Sequence, residues 1–481
     1  MPGIQDSMRA TTAGTPILEG YESPVAWDEA VTSEGEARRR YAAVIDALEG
    51  RDLTRLSEAV RAEVDASGCA FGGGDGGAHP FVVDPVPRIF DAEEWEALSA
   101  GLAQRVAALN AFIADVYGER RIVADGVMPQ RVLDSADHLE PRLHGVEPRN
   151  GVWATVAGLD LVRALDGTLR VLEDNLRTPS GVAYAFAARH GVERCADLPA
   201  RDRREFAGPA LVALHQALCA ASDRDEPAIV LLSDGPGNSA WWEHRTIATR
   251  LGIPIATLDD LEHRDGGLVR RDDDGETRPV DVVYRRTDED RLTGDDGALT
   301  AVGDALLEPW RSGRIGVCNA FGTGVADDKL VHAYVEDMIG FYLGEEPLLP
   351  SVPTFDLGDD DQREEALARA RELVIKPRAS YGGEGVVIGL LASDELLGQT
   401  VAAVRLAPER FVAQETVMLS THPTVIDGAL RPRHVDLRPF AYSGDGVSVP
   451  PGGLTRVAFG EGALIVNSSQ NGGAKDTWVM R

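Results

Sequence analysis

Residues 152–175 read VWATVAGLDLVRALDGTLRVLEDN. Two apolar runs flank Asp166-Gly167, a dipeptide that favours a two-residue type I′ turn, so the segment is predicted as a β-hairpin. Pairing Leu165 with Thr168 and counting outward sets Asp160 opposite Glu173 and Arg163 opposite Arg170. Alternation then puts Asn175 and Arg177 on the face of Glu173. Directly opposed carboxylates have Cβ atoms about 5 Å apart and destabilise a sheet unless a cation or a shared proton intervenes. Asp160, Glu173 and Asn175 offer oxygen donors, the ligand type that Mg²⁺ takes together with substrate phosphates. Two readings stand at this point: a magnesium site, or an exposed hairpin whose acids point into water.

Features suited to phosphate lie downstream. Leu373-Val374-Ile375 is an apolar strand ending at Lys376-Pro377, followed by Ser380-Tyr381-Gly382-Gly383-Glu384-Gly385 and a second apolar run from Val386 to Leu391. Glycines let backbone N–H groups approach phosphate oxygens, and Lys376 would reach them from the strand end. The P-loop pattern is absent, and a plain hairpin with a glycine loop is the alternative. In the predicted strand Phe411 to Val417, Gln414 and Glu415 interrupt the apolar pattern, as a hydrogen-bonding edge for adenine or ribose would, or as polarity on an edge strand would.

Lysine occurs only at 329, 376 and 475, and the other basic residues among the chain's 48 Lys+Arg are arginines. Lys is a compact charge that the wide guanidinium cannot always replace against phosphate. Lys329 is expected to open a helix from Leu330 to Leu343, where its charge opposes the helix dipole unless an anion, or Asp327 and Asp328, compensates. His434, Asp436 and Arg438 alternate on one face of a strand, which lets Arg438 face a transferring phosphate. Lys475 falls at the end of a polar loop.

Residues 1–67 read as a helix-rich extension, 68–350 as a lobe carrying the hairpin, and 351–481 as a second lobe, split at the acidic run from Asp356 to Asp361. A helical stripe covers Glu93 to Tyr117. A β-loop-α-β unit is expected from a strand at 227–233, a helix near 240–251 and a strand near 253–256, making Asn238, Ser239 and His244 substrate-pocket candidates, or helix caps. A strand from Asp281 delivers Arg285 and Arg286 into an acidic loop, where a solvated charge run is the plainer reading. Gly72 to Gly77 contains G-x-G-x-x-G without the flanking strand and helix of a dinucleotide fingerprint, and is expected to be a loop.

A formal net charge of −30 argues against a nucleic-acid or acidic-membrane partner. No apolar run near 18 residues is evident, and the polar stretch from Met1 to Gly14 lacks a signal-peptide core, so a cytoplasmic protein is expected. Cys69, Cys195, Cys219 and Cys318 are scattered and suggest neither disulfides nor zinc.

Taken in order, Asp160, Glu173-x-Asn175, Lys329, Lys376 with its glycine loop, and Gln414 resemble the circularly permuted ATP-grasp proteins, of which glutathionylspermidine synthetase is a relative. The stretches GLDLVR (158–163), VLEDNLRTPSG (171–181), VADDK (325–329), PRHVDLRPF (432–440) and the tail from Gly452 are similar to the type 2 permuted family. That resemblance implies a mixed α/β, α+β permuted ATP-grasp fold using ATP and Mg²⁺. It implies that Asp160, Glu173 and Asn175 hold the metal, that Lys329 and Lys376 contact phosphates, that Ser380, Tyr381, Gly382, Gly383 and Gly385 cover them, and that Gln414 and Glu415 lie near adenine or ribose. The implied reaction activates a small-molecule or peptide carboxylate for attack by an amine. The synthetase pattern has an arginine two residues before the metal aspartate, where this chain has Gly158, so Arg177 and Arg438 become the candidates for stabilising an acyl phosphate. A small-molecule kinase or a nucleotide-binding scaffold is the alternative.

Overall fold

The computed structural model describes residues 16–23, 27–72, 79–272, 274–379, 385–463 and 472–481. The elements that build the site are helix α1 (Leu53–Ala66), strand β1 (Val83–Phe90), helix α2 (Ala92–Tyr117), the hairpin strands β2 (Val156–Arg163) and β3 (Leu169–Asn175), and helix α3 (Val182–Cys195). The β-loop-α-β unit follows as β4 (Ile229–Ser233), α4 (Trp241–Leu251) and β5 (Ile255–Ala256), joined by β6 (Val282–Arg286) and β7 (Gly316–Cys318). Next come β8 (Thr354–Asp356), β9 (Leu373–Pro377), β10 (Val387–Ile388) and β11 (Phe411–Glu415). The chain closes with β12 (Thr421–Ile426), β13 (Ala429–Ser443), β14 (Gly453–Ala458) and β15 (Gly472–Val479).

These strands form a mixed α+β molecule with several sheets. The largest runs β1-β15-β14-β13-β2-β3, with β12 beside β13, and takes strands from both sides of residue 350. The parallel sheet β7-β6-β4-β5 carries the expected β-loop-α-β unit. A small antiparallel sheet, β8-β11-β9-β10, holds the strand that ends at Lys376.

Helix α2 is long and apolar enough to cross a membrane by length and composition, which the sequence reading did not anticipate. Its apolar stripe, including Leu102, Val106, Leu109, Phe112 and Ile113, is buried in the largest hydrophobic cluster, so it is packed as a core helix. The segment before α1 is also tied to the core. Glu29, fully buried, accepts from Arg88 Nε at 3.0 Å, Arg163 Nε at 3.1 Å and Ser420 Oγ at 2.7 Å. Burial alone would raise its carboxyl, but the two guanidinium groups hold it well below the usual range. Helix α1 lies so close to α3 that a Cβ on Gly191 would sit 2.8 Å from Val64 Cγ2.

The hairpin register arises differently from the one counted on the sequence. Ala164 N–H donates to Thr168 O at 3.0 Å across a three-residue turn, Leu165-Asp166-Gly167, with Gly167 at φ +82°. Asp-Gly serves this longer turn as readily as type I′, and the positive φ and the Trp27 ring, 2.9 Å from a would-be Cβ, both require glycine. Arg163 therefore faces Leu169 rather than Arg170, and is buried against Glu29 and Glu94. A bulge at Leu172 then shifts the register by one, restoring Asp160 opposite Glu173.

Candidate functional site

Between the central and small sheets lies a cavity of about 1690 Å³, lined by Asp160, Glu173, Asn175, Asp436, Arg438 and Arg456 on one side and by Lys376, Gln414 and Glu415 on the other. Arg177, Lys329, Asp327 and Asp328 close it from the loops. Typical small-molecule pockets enclose about 300–1,000 Å³, so this one has room for more than one ligand.

Asp160 is buried, and both its oxygens are engaged. Arg438 grips it with Nε at 2.6 Å and Nη2 at 2.8 Å, and Arg456 Nη2 lies 2.9 Å away. Burial would raise its carboxyl, but Arg438 and Arg456 outweigh that and hold it at about 2. Arg456 also binds Asp436, Nη2 to Oδ2 at 2.5 Å, and burial pushes Asp436 upward. Glu173, opposite, is 35% exposed, with Lys329 Nζ 3.6 Å from its Oε1. The buried Nδ2 of Asn175 has no hydrogen-bond partner among the described residues, and its amide oxygen is the atom that would meet a cation. Among the described residues no cluster of three or more His, Cys, Asp or Glu side chains could hold a metal. Two carboxylates and one amide oxygen are a hard, all-oxygen set that fits Mg²⁺ completed by phosphates, and not a thiophilic ion.

Asp174, between Glu173 and Asn175, faces the opposite side of β3. Arg105 binds both its oxygens at 2.7 Å, and His332 Nδ1 lies 2.7 Å from Oδ2. The cluster ties β3 to α2 and to the turn after Lys329. Since Arg105 is fully buried, Asp174→Asn is expected to lower unfolding free energy by about 3–5 kcal/mol, read by urea unfolding, because it leaves a buried cation unpaired.

Lys376 Nζ donates to Gln414 Oε1 at 2.5 Å, and Lys329 Nζ to Arg378 O at 3.4 Å. Burial, with Lys329 adding to it against the opposing pull of Glu173, lowers Lys376 to about 8. The single helix expected over 330–343 is instead a 3₁₀ turn (Val331–Tyr334), one α turn (Val335–Met338) and a π turn (Ile339–Leu343). Val331, Val335, Ile339 and Gly340 are weak helix formers, so packing sets the winding. The flanking aspartates are engaged by arginines. Asp327 takes Arg177 Nε at 2.5 Å and Leu176 N–H at 2.7 Å, while Asp328 takes Arg378 at 2.8 and 2.9 Å.

Gln414 also donates through Nε2 to Thr354 Oγ1 at 3.0 Å, so its amide is committed within the small sheet. Glu415 lines the cavity while paired to Arg369 at 2.8 Å. Gly385 adopts φ +69°, and a Cβ there would lie 2.8 Å from Pro377 Cγ. Ser380, Tyr381, Gly382 and Gly383 lie outside the described residues, as do Gly73 to Gly77 of the upstream glycine run.

Arg177 reaches the cavity already held by Asp327 and, at 3.3 Å, Asp290. Of the substrate-side candidates, Ser239 lines the cavity. Asn238 is buried, donating to Asp234 and Asp288 and accepting the Ala240 N–H in the turn before α4, while the helix itself has Ala240 at its N-cap and no side-chain cap among the described residues. His244 is buried against Ser233, and burial with Arg286 drives its imidazole to about 2. Arg285 and Arg286 are not a solvated run. Both are buried, and Arg286 binds Pro179 O at 2.6 Å, Ser180 Oγ at 2.5 Å and Glu243 at 3.1 Å. Lys475 is fully buried in β15 beside Asp84 and Pro423 O, away from the cavity. Arg456 and Arg378 were not foreseen. Pairing β13 with β14 would have found Arg456, because it sits directly opposite Asp436.

A family model described as circularly permuted ATP-grasp type 2 matches residues 87–458. The chain is similar to a Frankia alni protein named "Putative glutamate--cysteine ligase 2-3", 45% identical over 100% of this chain and 56% of that protein. It is similar also to a Frankia casuarinae protein named "Putative glutamate--cysteine ligase 2-2", 44% identical over 97% of this chain and 55% of that one. It thus spans about half the length of these curated relatives. Among solved structures, a glutathione synthetase-like effector from Globodera pallida, in apo form, shares the fold with a TM-score of 0.57 at 13% identity, covering 89% of this chain and 98% of the effector.

Proposed function

The chain belongs to the circularly permuted ATP-grasp type 2 family, and on that premise we propose that it is an ATP- and Mg²⁺-dependent ligase joining a carboxylate to an amine through an acyl phosphate, with release of ADP and phosphate. The observation that carries this reading is the meeting of Glu173, Lys329 and Lys376, from three separate segments, in one cavity. Two of the chain's three lysines stand there beside the opposed carboxylates.

When bound by Asp160, Glu173 and Asn175, Mg²⁺ supplies positive charge against the transferring phosphoryl group. Lys329 and Lys376 neutralise the nucleotide phosphates, and the segment from Ser380 to Gly385 covers them. Gln414 and Glu415 border the nucleotide. Arg177 and Arg438 face the charge that develops as the acid's own oxygen attacks phosphorus. The amine then attacks the acyl carbon and phosphate leaves with that oxygen. The protein's part is positioning and charge compensation, and no protein nucleophile is needed. The names of the Frankia relatives and of the effector support amino acids or short peptides as the substrate class.

Incubation with ATP, Mg²⁺, hydroxylamine and pools of amino acids and peptides tests the proposal. A hydroxamate formed together with ADP is the expected result. A stable phosphorylated product that requires no amine would replace the ligase with a kinase, and tight ATP binding without turnover would leave a scaffold.

A pH dependence follows from Lys376. With its ammonium losing a proton near 8, the free site loses a cation as pH rises, whereas bound phosphate favours the charged form. Affinity for a non-hydrolysable ATP analogue is expected to be flat below pH 7 and to fall by up to about tenfold per pH unit above 8. Isothermal titration across that range measures it, and proton uptake on binding should appear only on the alkaline side.

A further inference from the structure

The Asp160 carboxylate is held by two guanidinium groups of unequal freedom. Arg456 has a second carboxylate, Asp436, at 2.5 to 3.1 Å, so it keeps a charged partner whatever happens at Asp160. Arg438 binds Asp160 through Nε and Nη2, and its one further hydrogen bond among the described residues is from Nη1 to the carbonyl of Ser180 at 3.2 Å. Its stem lies over Gly158, the residue that faces Phe440 on the neighbouring strand. A Cβ on Gly158 would be 3.3 Å from Arg438 Cδ and 2.9 Å from Pro179 Cβ. The missing side chain at 158 therefore leaves the path along which Arg438 lies, and Arg438 itself lines the open cavity.

A carboxylate that already accepts three guanidinium contacts has little capacity left for a cation, and two nearby positive charges repel one. We propose that Asp160 exchanges Arg438 for the divalent cation, while Arg456, anchored by Asp436, keeps Asp160 in place. The released Arg438 then offers its guanidinium to the anion held beside Lys329 and Lys376. This inference rests on the reading of Asp160 and Glu173 as metal ligands. It assigns Arg438 a reciprocal role: bound to Asp160 it suppresses binding of the metal alone, and it leaves when the nucleotide supplies negative charge.

The test is Mn²⁺ binding to the full chain without nucleotide, followed by electron paramagnetic resonance of the free ion. Arg438→Met is expected to bind Mn²⁺ at least about tenfold more tightly than the parent protein, because a positive charge a few ångströms from the ion is gone. Arg438→Lys, which keeps the charge but not the forked grip, should fall between them, and it serves if the methionine variant folds poorly. In an Asp160→Asn background, where the carboxylate that Arg438 contests is gone and only its charge acts on the ion, Arg438→Met should give a clearly smaller gain. Equal Mn²⁺ affinity of the parent and Arg438→Met proteins would overturn the exchange and leave the metal site standing. Absence of Mn²⁺ binding in every variant, with or without a non-hydrolysable ATP analogue, would overturn both.

Discussion

Glu173→Gln is expected to reduce ATP-dependent turnover by at least about a hundredfold with little loss of stability, the scale seen when a preorganised charge is removed from a transition state. Two features separate this carboxylate from its neighbours. Asp160 is sequestered by arginines and Asp174 by Arg105, so neutralising either disturbs a buried pair. Glu173 is a third exposed, and its ion pair with Lys329 is long at 3.6 Å, an arrangement that contributes little to folding. Its charge is open to the cavity. The amide variant keeps shape and one oxygen donor but removes the negative charge, so the apparent Mg²⁺ requirement should rise sharply while the urea midpoint stays near that of the parent. Unchanged turnover at limiting Mg²⁺ would remove Glu173 from the site.

Lys376→Met should lower kcat/KM for ATP by roughly 10²–10³, and Lys376→Arg should fail to restore it. The chain's basic residues are otherwise nearly all arginine, yet this position at the end of β9 is lysine. The geometry gives the reason. Nζ is drawn to Gln414 at 2.5 Å on the neighbouring strand, inside a wall where a planar guanidinium would need further acceptors. The methionine variant should fold, since burial makes the charge that the substitution removes unfavourable. Initial rates at several ATP concentrations decide the matter, and rescue by arginine would reduce the role of Lys376 to charge alone.

Much of this site was legible because it depends on local pattern. The strands ending at Lys376 and bearing Gln414 and the β-loop-α-β unit follow from apolar runs and turn residues, and the opposition of Asp160 to Glu173 was read as well. The last of these was reached through two errors that cancel. The turn is one residue longer than counted, and a bulge at Leu172 takes the extra residue out again. No local signal announces that bulge. It arises where Val171 exchanges backbone hydrogen bonds with Pro350 and Val352, and where Leu172 O accepts from Gln414.

Long-range charge pairing was the illegible part. Arg285 and Arg286 read as a solvated run because a sequence does not show that the carbonyls of Asp290, Asn319 and Ala320 converge on the first, and Pro179, Ser180 and Glu243 on the second. Arg456 was missed because its meaning comes from Asp436 and Asp160, 20 and 296 residues away in the chain. Lys475 looked like a loop residue, but it is buried because Asp84, from the other end of the chain, neutralises it. Residues of one type thus divide into site and scaffold according to partners that only the fold supplies.

Isotope transfer reaches the centre of the account. Once a hydroxamate identifies the acid substrate, that acid is supplied with both carboxylate oxygens as oxygen-18, together with ATP, Mg²⁺ and the amine, and the released nucleotide and phosphate are examined by phosphorus NMR. Activation as an acyl phosphate predicts ADP as the nucleotide product and a single oxygen-18 in each released phosphate. AMP with pyrophosphate, or phosphate carrying no label, would contradict it.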